Sequence, residues 1–267
     1  MKLRRIIILS TFCMLSIGCE DSIHKALLSE DTNVLVVEGV LTNEKTNHLI
    51  KLSTPYKTQN ETPIPIGGAI IQITEGNNTY ALTELPVGSG QYYTPEMRAV
   101  TGSIYTLHIQ FNGKEYTAQD YAVPVEPLQT LAYSKVGNQY SLDFNASGQD
   151  ANYINHDISW SNTDACLSGM TCEGKVVFYD LKTTDVNEIY KPKKADFSFP
   201  LHTIIIRKKY SVSPAYKMFL RAMLSETEWR GGVFDVQRAN VPTNLSEGAI
   251  GFFAISTVVS DTTIIAN

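Results

Sequence analysis

The chain has 267 residues, 43% of them hydrophobic and 18% charged, and a formal net charge of −5 at neutral pH. That length can bury one or two cores. The composition is globular and rich in Tyr, Thr and Ile, residues that suit strands. The acidic balance argues against nucleic acid or an anionic surface as partner.

The first element is a basic start (Lys2, Arg4, Arg5) followed by an apolar run from Ile6 to Ile17. That run is too short to cross a bilayer as a helix, and its flanks are those of a secretory signal over residues 1–18. It closes on Leu15-Ser16-Ile17-Gly18-Cys19. The string resembles the lipobox of bacterial lipoproteins, in which the cysteine takes lipid and becomes the mature N-terminus. Ser16 stands where the usual box has a branched aliphatic residue. The resemblance implies lipidation at Cys19 and a protein held to the membrane through it. Each buried acyl methylene adds about 0.8 kcal/mol of membrane affinity. Glu20 and Asp21 follow at once. Such an acidic pair resembles the export signal of Bacteroidota surface lipoproteins, which implies the outer membrane and its outer rather than its periplasmic face. Cleavage removes three cations and no anions, taking the charge from −5 to −8. Residues 19–32 read as a polar tether.

A series of short strands follows. Val34–Leu41 is aliphatic, while His48–Leu52, Ala69–Thr74 and Ile104–Phe111 alternate. Asn112-Gly113 then predicts a tight hairpin into Lys114–Tyr121. This spacing predicts an antiparallel sandwich, immunoglobulin-like or transthyretin-like, over residues 33–122. Val123-Pro124-Val125-Glu126-Pro127 reads as a junction, because proline cannot donate to a sheet ladder. A second β-rich domain is expected over 128–267. Its strands are Tyr140–Asn145, Tyr153–Trp160, Lys175–Leu181, His202–Tyr210 and a single long run Gly248–Val259. Within it, Ser213 can cap a helix whose first turn takes Pro214. Tyr216, Phe219, Leu220, Met223 and Thr227 then recur at helical spacing up to about residue 229, before Gly231-Gly232.

Of the four cysteines, Cys13 leaves with the signal and Cys19 is taken by lipid. Cys166 and Cys172 remain between two strand-like runs, and export predicts a disulfide between them. The loop it closes is short, so its chain-entropy contribution is small. A redox pair normally has two intervening residues, and a metal site needs more ligands than this.

Several patterns carry no chemistry. Gly169–Lys175 matches the first part of a phosphate-binding loop, but Val176 stands where a magnesium-binding hydroxyl is needed and a strand follows instead of a helix. Asp143, Asp150, Asp157 and Asp164 recur too far apart for a calcium loop. His24, His48, His108, His156 and His202 have no partner at metal spacing. No nucleophile elbow and no H-E-x-x-H occur. No metal, cofactor, nucleotide or enzymatic activity is expected.

The C-terminal third carries a second resemblance. Tyr216–Trp229 is followed by Arg230-Gly231-Gly232-Val233-Phe234-Asp235, then Val241-Pro242-Thr243-Asn244-Leu245, then Gly248-Ala249-Ile250-Gly251-Phe252-Phe253-Ala254-Ile255-Ser256. This succession is similar to domain-of-unknown-function family 4249, a family of Bacteroidota outer-membrane lipoproteins. Val36–Thr42 looks like its opening strand, and Gly67-Gly68-Ala69 with Gly90-Gln91-Tyr92 like its sandwich. The resemblance spans most of 33–260 and is weakest from 130 to 210. Val236-Gln237-Arg238 replaces a segment that is often Pro-rich in the family, and the Asn244 turn is shortened.

Such proteins are often encoded beside TonB-dependent receptors. The resemblance therefore implies an accessory or substrate-binding partner of such a receptor. A structural or adhesive surface module without a small-molecule ligand is the alternative. The family supplies no binding residues to carry over. Aromatics in loops give large contact area at low entropic cost, so Tyr92, Tyr93 and Trp229 are the candidate contacts.

Overall fold

The computed structural model describes residues 34–56, 61–146, 148–190, 197–232 and 241–266. The signal segment, the tether with Cys19, and Val233-Phe234-Asp235 lie outside the described residues. The chain is mainly β, as expected. Its first strands are β1 (Leu35–Thr42), β2 (Leu49–Ser53), β3 (Ile70–Glu75), β4 (Asn78–Ala81), β5 (Thr83–Glu84), β6 (Gln91–Tyr93), β7 (Ile104–Phe111) and β8 (Lys114–Tyr121). Then come β9 (Tyr133–Val136), β10 (Gln139–Leu142), β11 (Asn152–Ser159) and β12 (Glu173–Asp180), followed by a short helix α1 (Val186–Ile189). The remainder is β13 (Ser198–Phe199), β14 (Ile204–Ser211), helix α2 (Pro214–Glu226), β15 (Ala249–Ser256) and β16 (Val258–Ile264).

Two sheets make the first sandwich. One has the order β15-β1-β2-β6-β5 and the other β4-β3-β7-β8. Their inward residues alternate as the sequence predicts: Val37, Ile50, Leu52, Ile71, Ile73, Leu107 and Ile109 pack together with Tyr92 and Tyr105. Asn112 and Gly113 both have positive φ, at 48° and 72°, the condition for a primed turn between β7 and β8.

The expected boundary at residue 122 does not close this sandwich. Its edge strand β15 comes from the far end of the chain and lies parallel to β1, with Leu35 opposite Ala249 and Thr42 opposite Ser256. The reason is visible in the composition of β15, Ala-Ile-Gly-Phe-Phe-Ala-Ile-Ser, which is apolar without alternation. A strand covered on both faces reads that way. Phe253 and Ile255 enter the core of the first sandwich, while Phe252 and Ala254 enter a second core with Tyr153, Tyr216, Leu220, Leu224 and Trp229.

The other lobe is built on the sheet β12-β11-β14-β16, which also has apolar contacts on both faces. One face meets α2 and β15 through Tyr153 and the half-buried Tyr179 and Tyr210. The other face packs Ile158 and Ile205 against Tyr140, Leu142 and Phe199 of the small sheet β13-β10-β9. Helix α2 starts as its sequence predicts, with the Ser213 hydroxyl accepting from the Tyr216 N–H at 3.1 Å and Pro214 in the first turn. It ends at Glu226 rather than 229, where the Trp229 N–H turns back to the Leu224 carbonyl.

The run expected as one strand over Gly248–Val259 is two strands, broken at Thr257. At that residue the chain passes from the first lobe's sheet to the second lobe's. The Thr257 N–H donates to the Ser211 hydroxyl at 2.8 Å, and the Ser211 and Thr257 hydroxyls both donate to the Val123 carbonyl. The proline-spaced segment is thereby fixed to the crossing between lobes by buried hydroxyls, each bond contributing about 1 kcal/mol.

Candidate functional site

An open groove of about 800 Å³ lies beside the first sandwich. It forms where one extended segment changes sheets. β4 pairs with β3 in one sheet, the Leu82 N–H still donates to the Ile71 carbonyl, and β5 then pairs with β6 in the other. Residues 78–84 are thus the edge of both sheets in turn. The groove is lined by Ala81, Thr83, Leu85, Pro86, Tyr93 and Pro95, with Thr46, Asn47 and Thr94 completing it.

Polar groups of its floor are hydrogen-bonded within the protein. The Asn47 side-chain amide donates to the Thr94 carbonyl at 2.8 Å, and the Thr94 hydroxyl accepts from the His48 N–H at 2.9 Å. His48 is buried, with Nε2 3.2 Å from the Met97 carbonyl. Burial lowers its pKa below the ordinary value, against the opposing pull of Met97 and Glu44. The imidazole is therefore neutral at physiological pH.

The turn that frames the groove is held by Glu84. Its carboxylate accepts from the Gly68 and Gly90 N–H groups, each at 3.0 Å. These two bonds hold its pKa below the usual carboxylate range. A Cβ on Gly67 would lie 2.8 Å from a Glu84 carboxylate oxygen and 2.7 Å from the Gly88 Cα. The Tyr92 hydroxyl accepts from the Ala69 N–H at 3.0 Å and donates to the Ile66 carbonyl at 2.9 Å. The Gly67-Gly68-Ala69 and Gly90-Gln91-Tyr92 steps are therefore the two halves of one hydrogen-bonded, partly buried clasp.

The structure places the three candidate aromatics differently. Tyr92 is 1% exposed and Trp229 2%, so both are core residues and neither can contact a partner. Trp229 packs behind α2 against Leu224, and the Tyr92 hydroxyl is used in the clasp. Tyr93 is half-buried, lines the groove, and donates its hydroxyl to the Gln91 side chain at 3.1 Å. Period 2 in β6 decides this: neighbours on a strand face opposite ways, so one of two adjacent tyrosines goes inward. Cys166 and Cys172 are joined as a disulfide with Cα atoms 5.7 Å apart.

The groove residues that sequence reasoning passed over are Leu85, Pro86 and Pro95. Their neighbour Val87 is 90% exposed at the tip of the turn. The available signal was Leu-Pro-Val-Gly-Ser-Gly, a turn composition carrying two large apolar residues that a solvated loop does not need. The arrangement can bind by apolar and aromatic contact, with the Thr46 and Thr83 hydroxyls at hand. Its lining contains no nucleophile–base pair. Among the described residues no group of three His, Cys, Asp or Glu could hold a metal ion.

The model of the family described as "Domain of unknown function (DUF4249)" matches residues 22–262. No curated protein matches the chain.

Proposed function

The chain belongs to the DUF4249 family, and from that premise we propose that it is an outer-membrane lipoprotein of Bacteroidota, tethered through Cys19, that serves a TonB-dependent receptor as an accessory or substrate-binding partner. The observation that carries this reading is the open, aromatic- and proline-lined groove on a frame whose two lobes share strand β15. Phe253 and Ile255 belong to one core and Phe252 and Ala254 to the other. A body of this kind binds by presenting preformed surface at low ordering cost. The signal-like start, the acidic pair after Cys19 and the net negative charge support a membrane-tethered protein that does not bind nucleic acid.

The test is recovery of a partner. Tagged protein drawn from detergent-solubilised outer membranes should bring down a large β-barrel receptor, and Tyr93→Ala with Leu85→Ser should weaken that recovery or the uptake it supports. Deleting the gene should slow growth on one specific nutrient and leave rich-medium growth unchanged. Repeated recovery of no barrel, under conditions that preserve known transporter complexes, would favour the structural or adhesive module instead.

A further inference from the structure

The two ends of the first sandwich differ in one respect: the segment that carries Cys19 joins the body at only one of them. β1 begins at that end, with the Leu35 N–H donating to the Gly248 carbonyl at 3.1 Å and Val36 beside Ile250. β2 runs antiparallel to β1 and finishes there, Ser53 lying opposite Val36. The Thr54 N–H donates to the Ile64 carbonyl at 2.9 Å and the Leu52 N–H to the Gly90 carbonyl at 2.8 Å, which brings Ile64 and the turn before Gly90 to the same end. That turn is Pro86-Val87-Gly88-Ser89. The Ser89 N–H closes it on the Pro86 carbonyl, and Gly88 has φ +81°, as a type II turn requires.

This end is open and apolar. Val87 is 90% exposed, and Tyr56, Ile64 and Ile250 are exposed with it. Its charges are mixed. Glu38 lies opposite Lys51, and Lys114 with Glu115 opens β8 nearby. Glu61, Glu84 and Glu247 add anions, and Lys57 lies outside the described residues. That balance gives no attraction to anionic headgroups, so contact here would be apolar. Exposed apolar side chains alone select nothing, because the opposite end shows Val100, Ile104 and Tyr121 as openly. The tether is what selects. Val34 stands 15 residues beyond Cys19, a stretch that reaches at most about 50 Å when fully extended. Lipid on Cys19 would keep this end within that distance of the bilayer. Docking then becomes intramolecular, and a shallow apolar contact too weak to hold a free protein is populated.

We propose that this end of the first sandwich, from the Val87 turn across Ile64 and Tyr56 to Ile250, is a membrane-docking surface that seats in the interface of a lipid bilayer. It rests on the reading that the chain is tethered through Cys19, and not on the receptor.

The test uses the full-length protein, isolated from membranes in detergent and reconstituted in phosphatidylcholine vesicles. An environment-sensitive fluorophore is attached at Tyr56→Cys, or at Val100→Cys on the opposite end as control. Nitroxide-labelled phosphatidylcholine should quench the probe at position 56 and spare the one at position 100. Ile64→Asp with Val87→Asp should lower the ratio of docked to undocked protein about tenfold or more. Val87→Asp alone should lower it in the same direction. Both positions are exposed, so the fold should survive, and unchanged circular dichroism checks that. Acylated, vesicle-bound protein without quenching at position 56 overturns the docking surface and leaves the tether standing. Unacylated protein still quenched there supports the surface and overturns the tether. Protein neither acylated nor vesicle-bound overturns both. Equal quenching at the two ends, quenching indifferent to the double Asp substitution, or quenching only in phosphatidylglycerol vesicles overturns the apolar docking surface.

Discussion

Asn244 is the residue whose loss should be felt most for its size. β15 has β1 on one side and no strand on the other, so the backbone groups of Gly251, Phe253 and Ile255 that point away from β1 need partners. Three side chains supply them. The Thr243 hydroxyl donates to the Gly251 carbonyl at 2.8 Å, and Asp120 accepts from the Ile255 N–H at 3.0 Å. Between them the Asn244 amide donates to the Phe253 carbonyl at 2.7 Å and accepts from the Phe253 N–H at 3.1 Å. It also donates to the Gln119 carbonyl at 3.0 Å, tying β15 to β8. Asn244→Ala leaves both backbone groups of Phe253 without a partner at a position that is 0% exposed. Each orphaned buried group costs about 1–3 kcal/mol, so the pair should cost about 3 kcal/mol. For a chain of this size that is a fall of about 6–12 °C in Tm. Thermal unfolding of the lipid-free protein, followed by circular dichroism, reads it directly. A loss of less than about 2 °C would show that water or a shifted loop replaces the amide, and that the side-chain edge is not what holds β15.

Two other expectations concern the same crossing and a third the membrane anchor. Burial pushes the Asp120 carboxyl above the usual carboxylate range, with the Ile255 N–H and Ser213 only partly offsetting it. The folded state therefore binds more protons than the unfolded one between the two values, and this residue's contribution to stability falls as pH rises through that window. The urea midpoint of wild type relative to Asp120→Asn should decline as pH rises above the ordinary carboxylate range of about 4, and a flat or rising difference counts against it. Gly251 has φ +98° and a Cβ there would overlap the Val37 backbone, whereas Gly248, at φ +88°, would meet only a Tyr116 ring carbon at 3.4 Å. Gly251→Ala should cost about 3 kcal/mol or more and Gly248→Ala about 1–2 kcal/mol, and equal losses in denaturant titrations would refute the steric argument. Cys19→Ala should abolish incorporation of labelled palmitate and release the protein from the membrane fraction. Continued labelling would place the lipid elsewhere.

Local signals made much of this molecule legible. Alternation gave β2, β3 and β7, Asn112-Gly113 gave the hairpin into β8, and Ser213-Pro214 gave the start of α2, because each depends on residues a few positions apart. The Cys166–Cys172 bridge was equally local. The weak strands β4, β5, β9 and β13 escaped, since four residues or fewer carry little periodicity.

The sequence by itself determined the strand-rich class, the positions of most long strands though not of β16, the start of α2, and the Cys166–Cys172 disulfide. Within the run read as one strand, β15 is apolar without a period of two. Only the tertiary structure decided what that run means. Its alternate residues serve two cores, its partner β1 lies some two hundred positions away in sequence, and its outer edge is closed by Thr243, Asn244 and Asp120. It likewise decided which of Tyr92 and Tyr93 faces the groove. The physical reason is the same in both cases: a strand's local pattern states how many of its faces are buried, but which surfaces bury them is set by long-range pairing, and no window of neighbouring residues contains that partner.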